Sequence, residues 1–113
     1  MFSPCDHPNE LSFKKVSICV KHNDHNVFFT VTQKGEAIEA HVCAKGREGR
    51  RALRDACVDF LLWVKIACPW CKMVIATVIP RSVYNLCKKI GFYDAGRFVA
   101  SNREFNLMVY CYE

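Results

Sequence analysis

The sequence feature that most constrains the fold is a nearly continuous apolar run, KMVIATVI, at residues 72–79. It is rich in β-branched residues and apolar on both faces, which is typical of a strand buried on both sides of a sheet. Strands of this kind occur in parallel sheets, where a helix crosses over between neighbouring strands. The run therefore predicts an α/β fold with a crossover helix.

Helices are predicted on both sides of this run. The segment RSVYNLCKKI predicts a short helix over about 81–90, with Gly91 in the C-terminal cap position. Pro69 prevents an earlier, longer helix from continuing into the strand. That longer helix covers about 47–66, where apolar residues recur at intervals of three and four: Ala52, Leu53, Ala56, Cys57, Phe60, Leu61 and Val64.

The remaining apolar patterns bring the prediction to a mixed sheet of about six strands. Three strands, running from Phe13 to Val20, over 27–33 and over 36–44, form a meander before the long helix. Two more, at about 94–100 and 105–112, are joined by the turn SNRE. Residues 1–12 contain two prolines and no periodic pattern. We therefore expect an irregular arm at 1–12 and one domain at 13–113.

The sequence contains no run of about 18 apolar residues, so no membrane segment is expected. Its N-terminus, MFSPCDHPNE, lacks the basic start and apolar stretch of a secretory signal. We therefore expect a cytoplasmic protein. In that compartment most of the eight cysteines are interpreted as small buried side chains rather than as disulfides.

Cys68 and Cys71 have the Cys-x-x-Cys spacing of redox enzymes and zinc sites. They follow the end of the long helix, where the negative end of the helix dipole disfavours a thiolate. Structural zinc needs four ligands, and only Cys5 and His7 in the arm offer a further pair. We favour a helix-to-strand turn with buried thiols, over a redox site or a metal site.

Basic residues crowd the start of the long helix, in a chain of net charge +5: Lys45, Arg47, Arg50, Arg51 and Arg54. A helix N-terminus presents unpaired amides, and glycines let a pyrophosphate approach them. Gly46 and Gly49 fit this description, so Gly49→Val is expected to abolish phosphate binding. The alternatives are a solvated helix face with Gly46 as a simple turn residue, or nucleic-acid binding, which is less favoured because no aromatic residues interleave the basic ones.

Three stretches, taken with the order of the predicted elements, point to a known family: HVCAKGREGRRALRDA at 41–56, KMVIATVIP at 72–80 and VYNLCKKIGFYDAGRF at 83–98. In these stretches and in that order the chain resembles the GNAT family of N-acetyltransferases, particularly its small phage-encoded members. The resemblance implies a GNAT-like fold that binds acetyl-CoA and transfers the acyl group to an amine. The cofactor-binding residues it implies lie at the end of the third strand and in the basic loop: Val42, Ala44, Gly46, Arg47, Gly49, Arg50 and Arg51.

Several positions depart from the family's pattern. Gly46 stands where the loop usually has Gln or Arg, and Arg51 stands where a small residue is usual. Cys87 occupies the position of the family's tyrosine acid, and Tyr84 lies one helical turn earlier. The strand and two helices that usually precede the meander are also missing. The resemblance therefore leaves two functions open: an N-acetyltransferase, or a catalytically inactive GNAT-fold protein with a structural or virion-associated role in a phage.

Catalysis would require a base, and Glu39 and His41 are candidates because they project from one face of the strand that leads into the loop. Alternate side chains along a strand lie about 7 Å apart, so we do not expect a proton-transfer chain with Cys43. Tyr84 and Cys87 are the candidate acids. His22 and His25 lie in a polar turn and are expected to be solvated. The short N-terminus predicts bare sheet edges, and therefore a protein partner or a homo-oligomer.

Overall fold

One mixed sheet and two helices make up the part of the chain that the computed structural model describes, residues 1–5 and 18–112. The strands are β1 Phe2–Pro4, β2 Ile18–His22, β3 Val27–Lys34, β4 Ala37–Ala44, β5 Met73–Val78, β6 Tyr93–Ala100 and β7 Arg103–Cys111. The helices are α1 Gly46–Ala67 and α2 Arg81–Ile90. In space the strand order is β1-β2-β3-β4-β5-β7-β6.

This architecture confirms the predicted α/β fold class. β4 and β5 are parallel and α1 crosses between them, whereas the neighbouring pairs on either side are antiparallel. Both helices begin and end within one residue of their predicted bounds. Ser101 and Asn102 form the two-residue turn between β6 and β7, each with a positive φ, as hairpin turns of this length require.

The predicted number of strands, about six, differs by one from the number observed. Six were predicted and seven are present, because Phe2–Pro4, in the stretch expected to be irregular, pairs with β2. Phe2 explains the pairing, since its ring contacts those of Phe60 and Trp63 on α1 at centroid distances of 5.9 and 5.2 Å. Residues 6–12 of the expected arm and residues 13–17 of the predicted first strand lie outside the described residues.

The core forms where α1 packs on the meander. Residues spaced by four along α1, namely Ala52, Ala56, Phe60 and Val64, are buried, and Phe60 stacks on Phe29 of β3 at 4.3 Å. The helix ends where the Cys68 amide donates to the Val64 carbonyl. The Cys71 amide then donates to the Cys68 carbonyl, so the Cys-x-x-Cys motif forms the predicted helix-to-strand turn.

Neither helix of residues 1–5 and 18–112 is both long and apolar enough to cross a membrane.

The short helix α2 ends at Gly91, which adopts the left-handed conformation, with φ 113°, and whose amide donates to the Lys88 carbonyl. This is the predicted C-terminal cap, which glycine adopts without steric cost. The cap turns the chain back so that Phe92 enters the core.

Two thiols lie between the helices and the sheet. Burial raises the pKa of Cys57 from an ordinary value of 9.0 to about 12, and that of Cys87 to about 11. A buried thiolate is disfavoured because the low-dielectric interior solvates the charge poorly. Both groups therefore bind their protons more tightly in the folded protein than in the unfolded chain.

This difference predicts alkaline destabilisation. Each thiol contributes its full stabilisation at pH values below its pKa in the unfolded chain. As the pH rises from that value towards the pKa in the folded protein, the free energy of unfolding falls by up to about 1.4 kcal/mol per pH unit for each thiol. Urea unfolding between pH 8 and 11 should therefore show a decreasing free energy of unfolding. Cys57→Ala should flatten the slope, whereas Cys111→Ala, at an exposed thiol, should not. Equal slopes in all three proteins would contradict the assignment.

The two edges of the sheet differ. β1 has three residues and includes Pro4, which cannot donate a hydrogen bond to a further strand. β6 has eight residues, all of them exposed, including Tyr93, Phe98 and Val99. Its pairing with β7 places Tyr93 and Phe98 on one face, and Asp94 and Arg97 on the other, because a bulge lies between Asp94 and Gly96. Among the strands of residues 1–5 and 18–112, β6 is thus the open edge.

We propose that the chain associates with a second copy through β6. An antiparallel two-fold pairing centred on the bulge sets Tyr93 of one copy opposite Phe98 of the other, and Asp94 opposite Arg97, so that opposite charges meet. Sedimentation velocity should show a dimer that Phe98→Lys converts to monomer. Ser3→Lys, the matched change on the β1 edge, should leave the dimer intact. A parent protein that stays monomeric at high concentration would refute the proposal.

Candidate active site

The sheet opens between β4 and β5. Their parallel pairing consists of Ala37 with Met73, Ile38 with Val74, and Glu39 with Ile75. Beyond these pairs β4 continues to Ala44 beside β3, and β5 continues to Val78 beside β7. The two strands therefore diverge at their carboxyl ends, which leaves backbone groups on their facing edges without a ladder partner in the other strand.

A cavity of about 230 Å³ occupies this gap. Five elements line it: Phe29 of β3, Ala40, His41 and Val42 of β4, Ala76, Thr77 and Val78 of β5, Cys57, Phe60 and Leu61 of α1, and Val83, Leu86 and Cys87 of α2. Because both helices line one cavity, they lie on the same face of the sheet. The lining is mostly apolar, with polar backbone along its two strands, and this suits an extended ligand that carries both methylene and amide groups.

α1 begins beside the carboxyl end of the gap. No side chain of the described residues caps its N-terminus, so its first amides are available to an anion. Gly46 has φ 69°, a conformation that favours glycine, and a Cβ there would meet nothing within 4 Å. This end of α1 is therefore both uncapped and sterically open.

Gly49 has a packing role that the sequence did not indicate. A Cβ at this position would lie 2.5 Å from the carbonyl oxygen of Asn26 and 3.2 Å from the carbonyl carbon of Ala44. Glycine is required because the helix start packs directly against the turn between β2 and β3. Gly49→Val would displace that helix start, so lost binding in this variant would not identify a phosphate site.

The arginines at the start of α1 remain in solvent. Arg47, Arg50, Arg51 and Arg54 are all exposed, and their spacing places them around the same end of the helix. Arg51, which stands where the family has a small residue, does not line the cavity. Lys45 lies over the Phe28 ring at 5.5 Å. The positive charge thus surrounds the uncapped helix end without filling the gap.

Glu39 and His41 pair with Thr32 and Thr30 of β3. These two threonines alternate with Phe29, which stacks on α1, so Glu39 and His41 point to the sheet face opposite the helices. His41 Nε2 lies 3.9 Å from Glu39 Oε2, which is closer than the spacing along a strand implied but beyond hydrogen-bond distance. Burial lowers the pKa of His41, while the Glu39 carboxylate opposes that shift. The imidazole is therefore neutral near pH 7, and a neutral imidazole can accept a proton.

The two candidate acids on α2 point in different directions. The Tyr84 hydroxyl donates to Asp94 Oδ2 at 3.0 Å, towards β6, and Tyr84 does not line the cavity. Its pKa is raised chiefly by that hydrogen bond. Cys87 does line the cavity. With a pKa of about 11, raised from the ordinary value of 9.0, it is a weaker acid than an ordinary thiol, so proton transfer from Cys87 to such a thiolate is unfavourable.

Asp94, for which no sequence pattern predicted a role, holds this end of α2 in place. It accepts hydrogen bonds from Tyr84, from the Gly96 amide at 2.9 Å and from Asn106 at 3.1 Å. The Gly96 bond is the largest of the causes that lower its pKa. Tyr84 is therefore held as part of a surface network that joins α2 to β6 and β7.

The expectation that His22 is solvated was wrong. His22 is 2% exposed, and its Nδ1 accepts a hydrogen bond from the Asp24 amide at 3.1 Å. The Nε2 atom therefore carries the proton and donates it to Asp59 Oδ2 at 2.7 Å. This hydrogen bond connects the end of β2, and so the turn between β2 and β3 that contacts Gly49, to the middle of α1. Asp59 lies 37 positions away, so no local sequence pattern reveals the pair.

Sequence comparison and structural comparison differ in what they reveal. No protein-family model and no curated protein matches the sequence. Solved structures do match. A Bacillus subtilis acetyltransferase in complex with CoA has a TM-score of 0.74 and 9% identity, with 99% of this chain and 98% of that chain covered.

Two further matches carry named activities. The ribosomal-protein-S5-alanine acetyltransferase of Vibrio fischeri has a TM-score of 0.68 and 15% identity, and the match covers 85% of this chain and 62% of that one. The spermidine N-acetyltransferase SpeG of Vibrio cholerae also has a TM-score of 0.68, at 12% identity, over 85% of this chain and 66% of that one. The chain thus spans somewhat less than two thirds of these two enzymes. At such identities the matches show the fold alone: the chain has the fold of the GNAT acetyltransferases.

Proposed function

We propose that the chain binds acetyl-CoA in the gap between β4 and β5 and transfers the acyl group to an amine. The single observation that carries this proposal is the divergence of the two strands beside an uncapped helix N-terminus. One part of the site offers two strand edges that face each other across an apolar cavity without pairing together. The adjoining part offers backbone amides and arginines.

The residues present fit the parts of the cofactor. The edges of Val42 and Ala44 on β4, and of β5 across the gap, suit the amides of an extended pantetheine arm. The amides at Gly46 and Arg47 suit a pyrophosphate, and Arg50 and Arg51 supply further positive charge nearby. Gly49 contributes by keeping the start of α1 in place. When bound, acetyl-CoA would supply an activated acyl thioester.

The chain's own chemical contribution is at β4. An amine that attacks the carbonyl carbon of a thioester forms a C–N bond, the C–S bond breaks and CoA leaves as its thiolate, and the proton of the amine needs an acceptor. His41 is neutral and lies beside the gap, with its imidazole on the sheet face opposite the helices, so it is the proposed acceptor of that proton. Glu39, 3.9 Å away, stabilises the resulting imidazolium. Cys87 shapes the cavity wall, and Tyr84 positions α2 against β6.

Binding is tested with a pair of equivalent substitutions. Ala76→Leu adds a bulky side chain to the cavity wall and should weaken acetyl-CoA binding at least about tenfold, since the ligand and the side chain compete for one space. Ala100→Leu makes the same change on exposed β6 and should leave the affinity unchanged. Isothermal titration calorimetry measures both, with circular dichroism to confirm folding. A parent protein that does not bind acetyl-CoA would overturn the proposal.

Turnover separates the enzyme from the alternative, an inactive GNAT-fold protein with a structural or virion-associated role. CoA release should be measured with spermidine and with an alanine-starting peptide, the amines suggested by the names of the structural relatives. His41→Gln should lower kcat at least about 100-fold without changing acetyl-CoA affinity. Tyr84→Phe should change kcat little, because the hydroxyl is bonded to Asp94. Acetyl-CoA binding without any CoA release would favour the inactive alternative.

A further inference from the structure

Two thiols lie side by side at the N-terminal edge of the sheet. The Sγ atoms of Cys5 and Cys19 are 3.0 Å apart. Cys5 directly follows β1, and the Cys5 amide donates to the Cys19 carbonyl at 3.0 Å. Since Pro4 pairs with Val20, Cys5 and Cys19 occupy the next antiparallel position. Both residues are thiols in the structure.

This geometry is close to that of a disulfide. Directly opposed residues of antiparallel strands have Cα atoms about 4.5–5.5 Å apart, which lies within the range that disulfides span. An S–S bond measures about 2.05 Å, so the sulfur atoms need to approach by only about 1 Å. A rotation of the two side chains can supply that movement, and the strands can stay in place.

The Cys-x-x-Cys motif, which the sequence offers as the obvious oxidisable pair, is arranged differently. The Cys71 thiol donates to the Met73 carbonyl at 3.2 Å. The Cys71 thiol is thus directed to a backbone carbonyl, whereas the Cys5 and Cys19 sulfur atoms contact each other. The structure therefore favours a pair 14 positions apart in sequence over a pair three positions apart.

We propose that Cys5 and Cys19 form a redox-sensitive disulfide by exchange with oxidised glutathione. The half-buried Cys5 thiolate attacks one glutathione sulfur, and reduced glutathione leaves. The Cys19 thiolate then attacks the Cys5 sulfur of the mixed disulfide, which releases a second glutathione thiolate. The two cysteines lose two electrons and two protons, and one oxidised glutathione becomes two reduced molecules.

The disulfide would hold β1, the shortest of the described strands, to β2. β1 is held to β2 by three residue pairs, yet it carries Phe2, whose ring packs against Phe60 and Trp63 of α1. A covalent link adjacent to β1 keeps this short strand from detaching, and therefore keeps Phe2 in contact with Phe60 and Trp63. Closing a loop of this length restricts the unfolded chain and should raise Tm by about 10 °C or more. This inference is independent of acetyl-CoA binding.

The test is peptide mapping of the intact chain after equilibration in glutathione buffers of increasing oxidised fraction. Blocking the remaining thiols and cleaving after lysine separates Cys5, in peptide 1–14, from Cys19, in peptide 16–21. We expect these two peptides to be linked, with a loss of two hydrogen atoms, at a lower oxidised fraction than Cys68 and Cys71 require. The same oxidation should raise Tm, and dithiothreitol should reverse both changes.

Two variants provide the controls. Cys5→Ser should abolish both the linked peptide and the oxidation-dependent rise in Tm. The double variant Cys68→Ser with Cys71→Ser should retain both. The proposal is overturned if the parent forms no link between peptides 1–14 and 16–21, if Cys68 and Cys71 oxidise first, or if the linked protein melts at the same temperature as the reduced one.

Discussion

The structure depends on one parallel pair, β4 beside β5, between antiparallel neighbours. Parallel strands cannot be joined by a hairpin, so the chain must cross the sheet between them, and α1 is that crossing. The crossing places the start of α1 at the carboxyl end of β4 and lays its apolar stripe over Phe29. The main core contact and the uncapped helix end thus both follow from this one pairing.

The candidate site arises because that pairing is incomplete. Its amino-terminal part holds the two halves of the sheet together, and its carboxyl-terminal part opens into the apolar cavity. Each part of the proposed chemistry comes from a different element: the amides from α1, the proton acceptor His41 from β4, and the cavity wall from α2. Such a site requires only a few residues from each segment.

Contacts between distant residues hold the N-terminal edge to this framework. His22 and Asp59 join the β2–β3 turn to α1, and the same turn supplies the Asn26 carbonyl against which Gly49 packs. Phe2 adds an aromatic contact from β1 to α1. The start of α1, where an anion would bind, is therefore positioned by residues that have no direct contact with the cavity. A substitution that removes one of these contacts would displace α1 and thereby change the proposed site.

The sequence by itself determined the elements and their order. Helix periodicity, the apolar run at 72–79 and the cap at Gly91 are local patterns, and local backbone preferences act on neighbouring residues, so these predictions were confirmed. The GNAT fold followed from that order, and the strand count missed only Phe2–Pro4, whose pairing depends on aromatic partners far along the chain. Glu39 and His41 were correctly placed on one face by strand alternation.

Tertiary structure alone decided what each of the other residues contacts. It directs Tyr84 to Asp94 and Cys87 into the cavity, although both lie on one short helix. It makes Gly49 a packing glycine, buries His22 against Asp59, and brings Cys5 to Cys19. The physical reason is shared by all of them. Side-chain direction, burial and pKa depend on which distant segments pack together, and a sequence pattern reports only the period of its own segment.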